Sequence, residues 1–356
     1  MITYLLRTNL DIEDKKPQNS LRLRSAASTI KLLSKKNNKL VILSHFGRPV
    51  GNDPDFSLKR FKKSLEGKIK KRIVFIPGHN FSNIKRIILK APLGTLFLLE
   101  NLRFLKGETK NDYKLSKSLA DLGNRYVNDD FATSHRSNAS NVGITKFLPS
   151  VPGPTIKNEI RNLKQILENP RKPLVLILGG IKMADKIGVI DNLLSKTDYV
   201  LLGGGSANTV LKARGVNVGK SAFDAKVVKS IGRLCKNKKI ITPIDFKKSG
   251  GKILDMGHKT LAGYTAIIKS ARTVIWGGPL GQFENREFSS GSYGVARAIA
   301  KSRAFSIVGG GETVEIITHL GLEKKISFLS TGGGAMLDYL AGLKLPALVA
   351  LKLQRK

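Results

Sequence analysis

The chain contains 356 residues, a length that suits two domains, and 41% of them are apolar, enough to bury globular cores. Its 35 glycines follow no fixed period, which excludes a collagen-like fibre, and no uncharged apolar run reaches the roughly 18 residues of a membrane span. The 62 Lys and Arg residues against 26 Asp and Glu residues give a net charge of +36, so the surface must be strongly basic.

The first half of the chain alternates apolar segments of strand length with amphipathic segments of helix length. This alternation predicts a parallel sheet with crossover helices. The clearest helices are 26–36 and 112–123, and we expect Gly123 to cap the second one. The predicted strands are 2–7, 40–46, 72–77, 94–100 and 125–129.

A domain boundary is predicted at 147–155, where three prolines and a glycine interrupt the alternation before a lone helix at 157–169. The alternation then resumes, so we expect an α/β chain of two doubly wound parallel-sheet domains. The predicted strands of the second half are 174–179, 199–202, 239–244, 273–276, 304–308 and 326–330.

Glycine turns follow five of the predicted strands in the second half, at 179–180, 203–205, 277–278, 309–311 and 332–334. Any one of these turns could simply be a tight turn. Parallel strands end on the same edge of a sheet, however, and glycines there let backbone N–H groups approach a phosphate. The residues around them match neither a P-loop nor the G-x-G-x-x-G fingerprint, so the turns predict a nucleotide site of another kind.

Arginines and histidines in the first half of the chain form a second set of candidate anion-binding residues. Most of them closely follow a predicted strand, and arginine pairs two oxygens of a phosphate or carboxylate at once. This set predicts a pocket for a small anionic molecule. Its members are Arg22, His45, Arg48, Arg103, His135 and Arg136.

Nine segments, in their order and spacing, resemble the motifs of phosphoglycerate kinase from residue 5 to about residue 350. They are RTNLDI, SHFGRP, LLENLRF, YVNDDFATSHR, LGGIKMADKI, GGGSANTVL, WGGPLGQFE, GGGETV and SFLSTGGGAMLDYL. The resemblance implies a glycolytic enzyme, a phosphotransferase with a carboxyl group as acceptor. Such an enzyme moves a phosphoryl group between 1,3-bisphosphoglycerate and ADP, giving 3-phosphoglycerate and ATP.

The resemblance also implies the architecture, which is two Rossmann-like domains joined by a hinge helix in a monomer. A phosphoglycerate-binding domain would comprise residues 1–152, and an interdomain linker and helix residues 153–170. The nucleotide-binding domain would comprise residues 171–335, and a C-terminal tail, 336–356, would return to the first domain.

The resemblance assigns site residues position by position. Those implied to bind phosphoglycerate are Asn9, Asp11, Arg22, His45, Arg48, Arg103 and Arg136. Those implied to act on the transferred phosphoryl group are Arg22, Lys182, Lys186, Gly332, Gly333 and Gly334. Those implied to bind ATP or ADP are Lys186, Gly203, Gly204, Glu284, Gly310, Gly311, Glu312 and Thr313, and Glu312 would hold Mg²⁺.

Some positions depart from the family pattern. Asn9 and Asp11 stand where the family usually has Asp-x-Asn, so the carboxylate and the amide are exchanged. Glu312 stands where an Asp is expected beside magnesium, an ion that demands tight octahedral geometry. Three further departures are Asp130 for a small residue, Asn138 for a His and Gly277 for an Asn. We expect a working but divergent enzyme, and Asp11 calls its affinity for phosphoglycerate into question.

Two other functions stay open at this point. The chain could be a regulator that binds a nucleotide or another anion without turnover. It could also bind nucleic acid through its basic surface, but the most basic run, 59–72, contains one aromatic residue and so lacks the features of a single-strand-binding platform. The single cysteine, Cys235, and the lack of a recognisable export signal predict a cytoplasmic protein without a membrane partner.

Overall fold

The computed structural model describes residues 2–12 and 20–355, and the chain divides into two compact units. Unit 1 comprises Met1–Ile160 and Lys344–Lys356, and unit 2 comprises Arg161–Leu343. The boundary lies inside the helix Pro154–Glu168, which corresponds to the lone helix predicted at 157–169. No helix in the described ranges is both long enough and apolar enough to cross a bilayer.

Unit 1 is built on a six-stranded parallel sheet with the order β3-β4-β2-β1-β5-β6. The strands are β1 (Ile2–Arg7), β2 (Asn38–Leu43), β3 (Val74–Ile76), β4 (Leu96–Leu99), β5 (Arg125–Asn128) and β6 (Ser150–Pro152). The helices are α1 (Leu21–Leu33), α2 (Lys59–Ile69), α3 (Phe81–Lys90), α4 (Lys106–Thr109), α5 (Tyr113–Ala120) and the beginning of α6 (Pro154–Glu168). Single 3₁₀ turns lie at Pro54–Phe56, Leu102–Phe104, Phe131–Thr133 and Gly143–Lys146.

The central strands of unit 1 are mostly apolar, with buried exceptions such as Arg7 and Lys39, because helices cover both faces of the sheet. Alternate side chains of a strand point to opposite faces. Leu6 and Leu40 accordingly pack with the buried side chains of α1 and α2, whereas Leu5 and Val41 pack with those of α3 and α5. These two layers fix the register that brings the carboxyl ends of β1, β2 and β5 to one edge.

Unit 2 is built on a second parallel sheet, with the order β14-β13-β12-β7-β8-β9. Its strands are β7 (Leu174–Leu178), β8 (Tyr199–Leu202), β9 (Ile240–Ile241), β12 (Thr273–Gly277), β13 (Phe305–Gly309) and β14 (Phe328–Ser330), and β10 (Phe246–Ser249) and β11 (Lys252–Met256) form an antiparallel hairpin. The helices are α7 (Ala184–Leu193), α8 (Gly204–Ala213), α9 (Gly232–Cys235), α10 (His258–Ser270), α11 (Ser290–Lys301), α12 (Gly311–His319) and α13 (Gly334–Leu340). This is the strand order of the dinucleotide-binding fold.

The C-terminal segment belongs to unit 1. The chain enters that unit at Lys344 and forms α14 (Pro346–Ala350). The backbone N–H of Ala347 donates to the carbonyl oxygen of Ser134 at 3.1 Å, and Leu348 is buried. The last helix is therefore fastened beside the loop that follows β5.

The α/β fold with two parallel sheets confirms the predicted fold class, although the strands differ in detail. The strand predicted at 239–244 is only Ile240–Ile241, because Pro243 has no N–H to continue the ladder. β6 lies in the segment that we interpreted as a boundary, and the β10–β11 hairpin has no predicted counterpart. Its turn, Gly250 and Gly251 with φ of +56° and +76°, is a recognisable hairpin signal.

The predicted cap at Gly123 is wrong. Helix α5 ends at Ala120, and Asp121 occupies the capping position in a right-handed conformation. Gly123 is required for packing instead, because a Cβ atom there would lie 2.8 Å from the side chain of Leu5. The glycine lets the chain pass close to β1 before β5 begins.

Candidate active site

Each sheet has a point at which the chain switches the side on which it adds strands. This switch lies between β1 and β5 in unit 1 and between β7 and β12 in unit 2. Ligands of open parallel sheets bind outside the carboxyl ends of the strands at such points. The segments that follow these four strands hold many of the predicted site residues.

Arg7, the last residue of β1, is buried at the centre of the unit 1 edge. Its Nη1 lies 2.9 Å from Asp130 Oδ2 and also donates to the carbonyl oxygen of Thr8. Nε donates to Ser140 Oγ at 2.9 Å, and Nη2 lies 2.7 Å from His45 Nδ1. One guanidinium therefore ties together the segments that follow β1, β2 and β5.

The contact with Arg7 determines the tautomer of His45. A guanidinium only donates hydrogen bonds, so His45 Nδ1 must accept and the ring proton must be on Nε2. Within the described residues Nε2 has no hydrogen-bond partner, and it lies 3.6 Å from Asp11 Oδ2. Burial, together with the charge of Arg7, lowers the pKa of His45 from 6.5 to about 4. At neutral pH His45 therefore presents a neutral N–H donor beside Asp11.

This pKa predicts a pH dependence of stability. The folded protein binds the His45 proton more weakly than the unfolded chain, so the free energy of unfolding falls as the pH drops from 6.5 towards 4. Between pH 7 and pH 4.5 we expect the wild type to lose about 2–3 kcal/mol more than His45→Gln, whose side chain does not titrate. Urea unfolding of both proteins at the two pH values measures this difference, and equal losses would contradict the assignment.

Asp11 lies among the basic side chains of unit 1. Its Oδ1 accepts the backbone N–H of Gly47 at 2.8 Å, and its Oδ2 is 3.9 Å from Arg103 Nη1 and 3.6 Å from His45 Nε2. Burial opposes ionisation, but His45, Gly47 and Arg103 hold the pKa of Asp11 well below its ordinary value. Asp11 is thus an ionised internal anion that offsets part of the positive charge of this pocket.

The other predicted arginines of unit 1 differ in exposure. Arg103 is largely buried and donates to the carbonyl oxygen of Gly47, whereas Arg48 is exposed and has no hydrogen bond or ion pair in the described parts of the chain. Arg136 is half-buried, and its charge, after burial, contributes to the lowered pKa of Arg103. Arg22 lies in the first turn of α1, where Nη1 donates to the carbonyl oxygen of Asp11. Arg22 and Arg103 therefore both converge on the Asp11 segment.

The five glycine turns of unit 2 follow five adjacent parallel strands, β14, β13, β12, β7 and β8. The turns are interlocked, because Gly180 N–H donates to the carbonyl oxygen of Pro279 at 2.8 Å and Gly204 N–H donates to that of Leu280 at 2.8 Å. A Cβ atom on Gly179 would lie 2.1 Å from the Pro279 oxygen. Glycine is therefore required here for the close approach of neighbouring turns.

The turns after β13 and β14 also lie close to each other. Gly310 has φ of +102°, and an added Cβ on Gly333 would lie 3.2 Å from Gly310 Cα. Gly310 directly precedes α12, and Thr313 in the first turn of that helix accepts the Gly278 N–H at 2.8 Å through Oγ1. The first N–H groups of a helix have no intrahelical acceptor, so this edge offers donors for an anion. Gly332 and Gly333 precede α13 in the same way.

The two predicted lysines of unit 2 differ in their environments. Lys182 is exposed, whereas Lys186 is buried and its Nζ donates to the carbonyl oxygen of Lys182 at 2.8 Å. A Cβ on Gly180 would lie 3.8 Å from the same Nζ. The ammonium group therefore lies at the sheet edge that carries the five glycine turns, which we call the glycine edge. Burial lowers the pKa of Lys186, and Asp185, Asp224 and Glu312 partly oppose this effect.

Glu312 fits a magnesium ion that arrives with a nucleotide. It is an exposed carboxylate in the first turn of α12, beside the turn after β13, and it influences the pKa of Lys186. No cluster of three or more metal-ligating side chains occurs in residues 2–12 and 20–355. Magnesium is usually held by one or two carboxylates plus substrate phosphates, so a single Glu312 is compatible with that mode of binding.

The two remaining predicted nucleotide residues lie farther along the same edge. Gly203 follows β8, and its N–H donates to the carbonyl oxygen of Leu178 at 3.0 Å. A Cβ at Gly203 would lie 2.5 Å from the side chain of Leu280, so close packing requires glycine there. Glu284 is exposed in the segment after β12.

Sequence reasoning missed two contributors to these sites. Arg7 gives no signal of its own, because it simply ends an apolar strand. Asp224 accepts the backbone N–H of Ala184 at 3.0 Å and so caps α7 from a distant part of the chain. Its role cannot be read from spacing, since the two residues are 40 positions apart.

Comparisons with known proteins identify the family of this chain. A family model described as phosphoglycerate kinase matches residues 4–343. Proteins named phosphoglycerate kinase from Pseudothermotoga lettingae and Finegoldia magna are 39% and 38% identical, over 97% and 96% of this chain and 93% of each relative.

Solved structures agree as well. Phosphoglycerate kinase from Pyrococcus horikoshii has a TM-score of 0.87 at 30% identity, and the match covers 99% of this chain and 96% of that one. The enzyme from Coxiella burnetii has a TM-score of 0.81 at 34% identity, over 100% of this chain and 97% of the other. Sequence, family model and fold thus agree over almost the whole length, and the chain belongs to the phosphoglycerate kinase family.

Proposed function

We propose that this chain catalyses the reversible transfer of a phosphoryl group between 1,3-bisphosphoglycerate and ADP, with phosphoglycerate bound to unit 1 and the nucleotide to unit 2. As a family member it is a phosphotransferase with a carboxyl group as acceptor. The observation that carries the proposal is the edge of unit 2, where five glycine turns follow adjacent strands and the buried Lys186 places its Nζ beside Gly180. Such an edge suits the phosphates of a nucleotide.

In unit 1 the proposed ligand is the carboxylate and phosphate of phosphoglycerate. The neutral Nε2–H of His45 and the guanidinium groups of Arg22 and Arg103 are donors near Asp11, and Arg48 and Arg136 add positive charge. Guanidinium groups bind such oxygens with two parallel hydrogen bonds. Asn9 keeps an amide where a substrate hydroxyl would bind, and Asp11 is expected to limit affinity by charge repulsion.

The chemistry requires no protein nucleophile, because an oxygen of the ADP β-phosphate attacks an acyl phosphate that is already activated. Charge spreads over three equatorial oxygens in the transition state, so catalysis depends on positioning and on electrostatic stabilisation. We assign stabilisation to Arg22, Lys182 and Lys186 and to the backbone N–H groups of 332–334. Magnesium supplies further neutralisation of phosphate charge when bound, and Glu312 is the residue that would hold it.

The remaining nucleotide contacts are proposed from the positions of the residues in the fold. Gly310 precedes α12, and Gly311 and Thr313 lie in its first turn, so we assign N–H donors for the phosphates to that turn. The N–H groups of Gly203 and Gly204 already donate to carbonyl oxygens, so we propose that these glycines let the nucleotide approach the backbone before α8 closely. Glu284 is proposed to bind the ribose. Helix α6 contains the boundary between the units, and we propose that it serves as the hinge. A cytoplasmic monomer is the proposed state, on the family resemblance and the single cysteine.

A coupled assay with 1,3-bisphosphoglycerate and MgADP tests the proposal. We expect ATP formation that stops when EDTA removes the divalent cation and resumes when magnesium is restored. The matched measurement is binding of MgADP to the same preparation by calorimetry. Nucleotide binding without any turnover would overturn the proposal and favour the regulator described above.

A further inference from the structure

Two departures from the family motif lie in direct contact. Asn9 replaces a carboxylate, and Asp130 replaces a small uncharged residue. Asn9 Nδ2 donates to Asp130 Oδ1 at 2.9 Å although the residues are 121 positions apart. Both side chains are buried at the ends of the neighbouring strands β1 and β5. The unit therefore keeps one carboxylate and one uncharged side chain at this point, with their positions exchanged.

The orientation of the Asn9 amide follows from its two partners. The backbone N–H of Asp11 can only donate, and it lies 3.0 Å from Asn9 Oδ1, so that atom is the oxygen. Nδ2 must then face Asp130. One of its two hydrogens is used there, and the second is left for another acceptor.

Asp130 has a second set of contacts that leads to the substrate pocket. Its Oδ2 lies 2.9 Å from Arg7 Nη1 and accepts Thr133 Oγ1–H at 2.8 Å. Arg7 in turn donates to His45 Nδ1, which sets the tautomer that presents Nε2–H beside Asp11. One buried carboxylate thus determines the orientation of both Asn9 and, through Arg7, His45.

We propose that Asp130 is a positioning residue for the phosphoglycerate site, and that it carries the negative charge which the family motif places at position 9. This inference rests on the proposed function, because it takes 3-phosphoglycerate as the ligand. It explains how the exchange of carboxylate and amide near β1 is compatible with an ordered pocket. The buried charge of Arg7 is balanced from β5 instead of from the segment after β1.

The two single substitutions disturb the pair in opposite ways. Asn9→Asp places two carboxylates within hydrogen-bond distance, and like charges this close repel. Asp130→Asn leaves the buried guanidinium of Arg7 without its counterion. The double substitution exchanges the roles, so that an amide at 130 can donate to a carboxylate at 9 and the pair again carries a single negative charge. The pair should therefore show strong coupling.

Calorimetric binding of 3-phosphoglycerate to the wild type, Asn9→Asp, Asp130→Asn and the double variant tests the inference. We expect each single change to weaken binding by about tenfold or more and the double variant to return to within about threefold of the wild type. A double variant whose loss of affinity equals the product of the two single losses would overturn the inference. A wild type that fails to bind 3-phosphoglycerate would overturn the inference and the proposed function together.

The equilibrium measurement keeps the two claims separate. A wild type that binds 3-phosphoglycerate but does not turn over contradicts the proposed function alone, whereas an active wild type without rescue in the double variant contradicts the inference alone. Melting temperatures identify variants that fail to fold. If Asp130→Asn fails to fold, the affinities of Asn9→Asp and the double variant for 3-phosphoglycerate are compared, and the inference requires tighter binding by the double variant.

A matched control is Asp112→Ala, which removes another carboxylate from unit 1. Asp112 caps α5 by accepting the N–H of Leu115 at 2.7 Å. We expect this variant to lower the melting temperature while binding of 3-phosphoglycerate changes by less than about twofold. If this variant lost as much affinity as Asn9→Asp, the weaker binding would reflect the general stability of unit 1, and the inference would be overturned.

Discussion

Arg22→Ala is expected to lower kcat by about 10²- to 10³-fold while the dissociation constant for MgADP changes by less than about twofold. Arg22 lies in the first turn of α1 and bonds to the Asp11 backbone, in the unit proposed to bind phosphoglycerate. Its planar guanidinium group can stabilise negative charge on the oxygens of the transferred phosphoryl group. This charge increases only in the transition state. The proposed nucleotide contacts are in unit 2, so Arg22→Ala should lower kcat and leave the affinity for MgADP nearly unchanged.

Arg24→Ala is the matched control, because it removes a second guanidinium from the same helix. Both variants are compared by steady-state kinetics in both directions and by calorimetry with MgADP. Arg24→Ala is expected to retain kcat within about threefold, because the Arg24 guanidinium is not among the groups assigned to the transferred phosphoryl group. Equal losses of kcat and of MgADP affinity in Arg22→Ala would mean that the role assigned to Arg22 is wrong.

The glycine edge of unit 2 was predictable because its cause is local. Each glycine turn follows an apolar run, and parallel strands bring their carboxyl ends to one edge whatever their order. The structure adds what the sequence cannot contain, namely that Gly180 bonds to Pro279 and Gly204 to Leu280. Those contacts depend on β7, β8 and β12 being neighbours in the sheet.

The contacts within the unit 1 pocket were not predictable in this way. The sequence identifies Asn9 and Asp130 as departures from a motif, but nothing in their spacing reveals that they touch. Arg7 was missed for the same reason, since its four polar contacts come from segments that follow different strands. Pairing between distant segments is decided by strand order and register, which periodicity alone does not give.

Asp11 illustrates how the structure sharpens an expectation about charge. The sequence predicts that this carboxylate opposes an anionic ligand, and the structure gives it defined partners in Gly47, His45 and Arg103. The carboxylate therefore competes with the ligand for donors as well as repelling it. A phosphoglycerate that binds here must share His45 and Arg103 with an internal anion.

Lys186 is held in place by its surroundings in unit 2. Its ammonium group donates to the Lys182 carbonyl oxygen, and its aliphatic stem is buried at the beginning of α7. Burial lowers its pKa, whereas the carboxylates of Asp224 and Glu312 favour the charged form. The hydrogen bond to Lys182 thus fixes Nζ at the glycine edge, which is the preorganisation that electrostatic catalysis requires.

Lys186→Met is expected to lower kcat by about 10²- to 10³-fold, because methionine replaces the stem but not the charge that we propose stabilises the transferred phosphoryl group. The matched control is Lys239→Met, since Lys239 in the same unit also donates to a backbone carbonyl oxygen, that of Leu194 at 2.9 Å. Steady-state kinetics with varied MgATP and thermal melting measure both variants. We expect the two variants to melt at similar temperatures and only Lys186→Met to lose kcat. Equal kcat values in the two variants would show that Lys186 has no catalytic role.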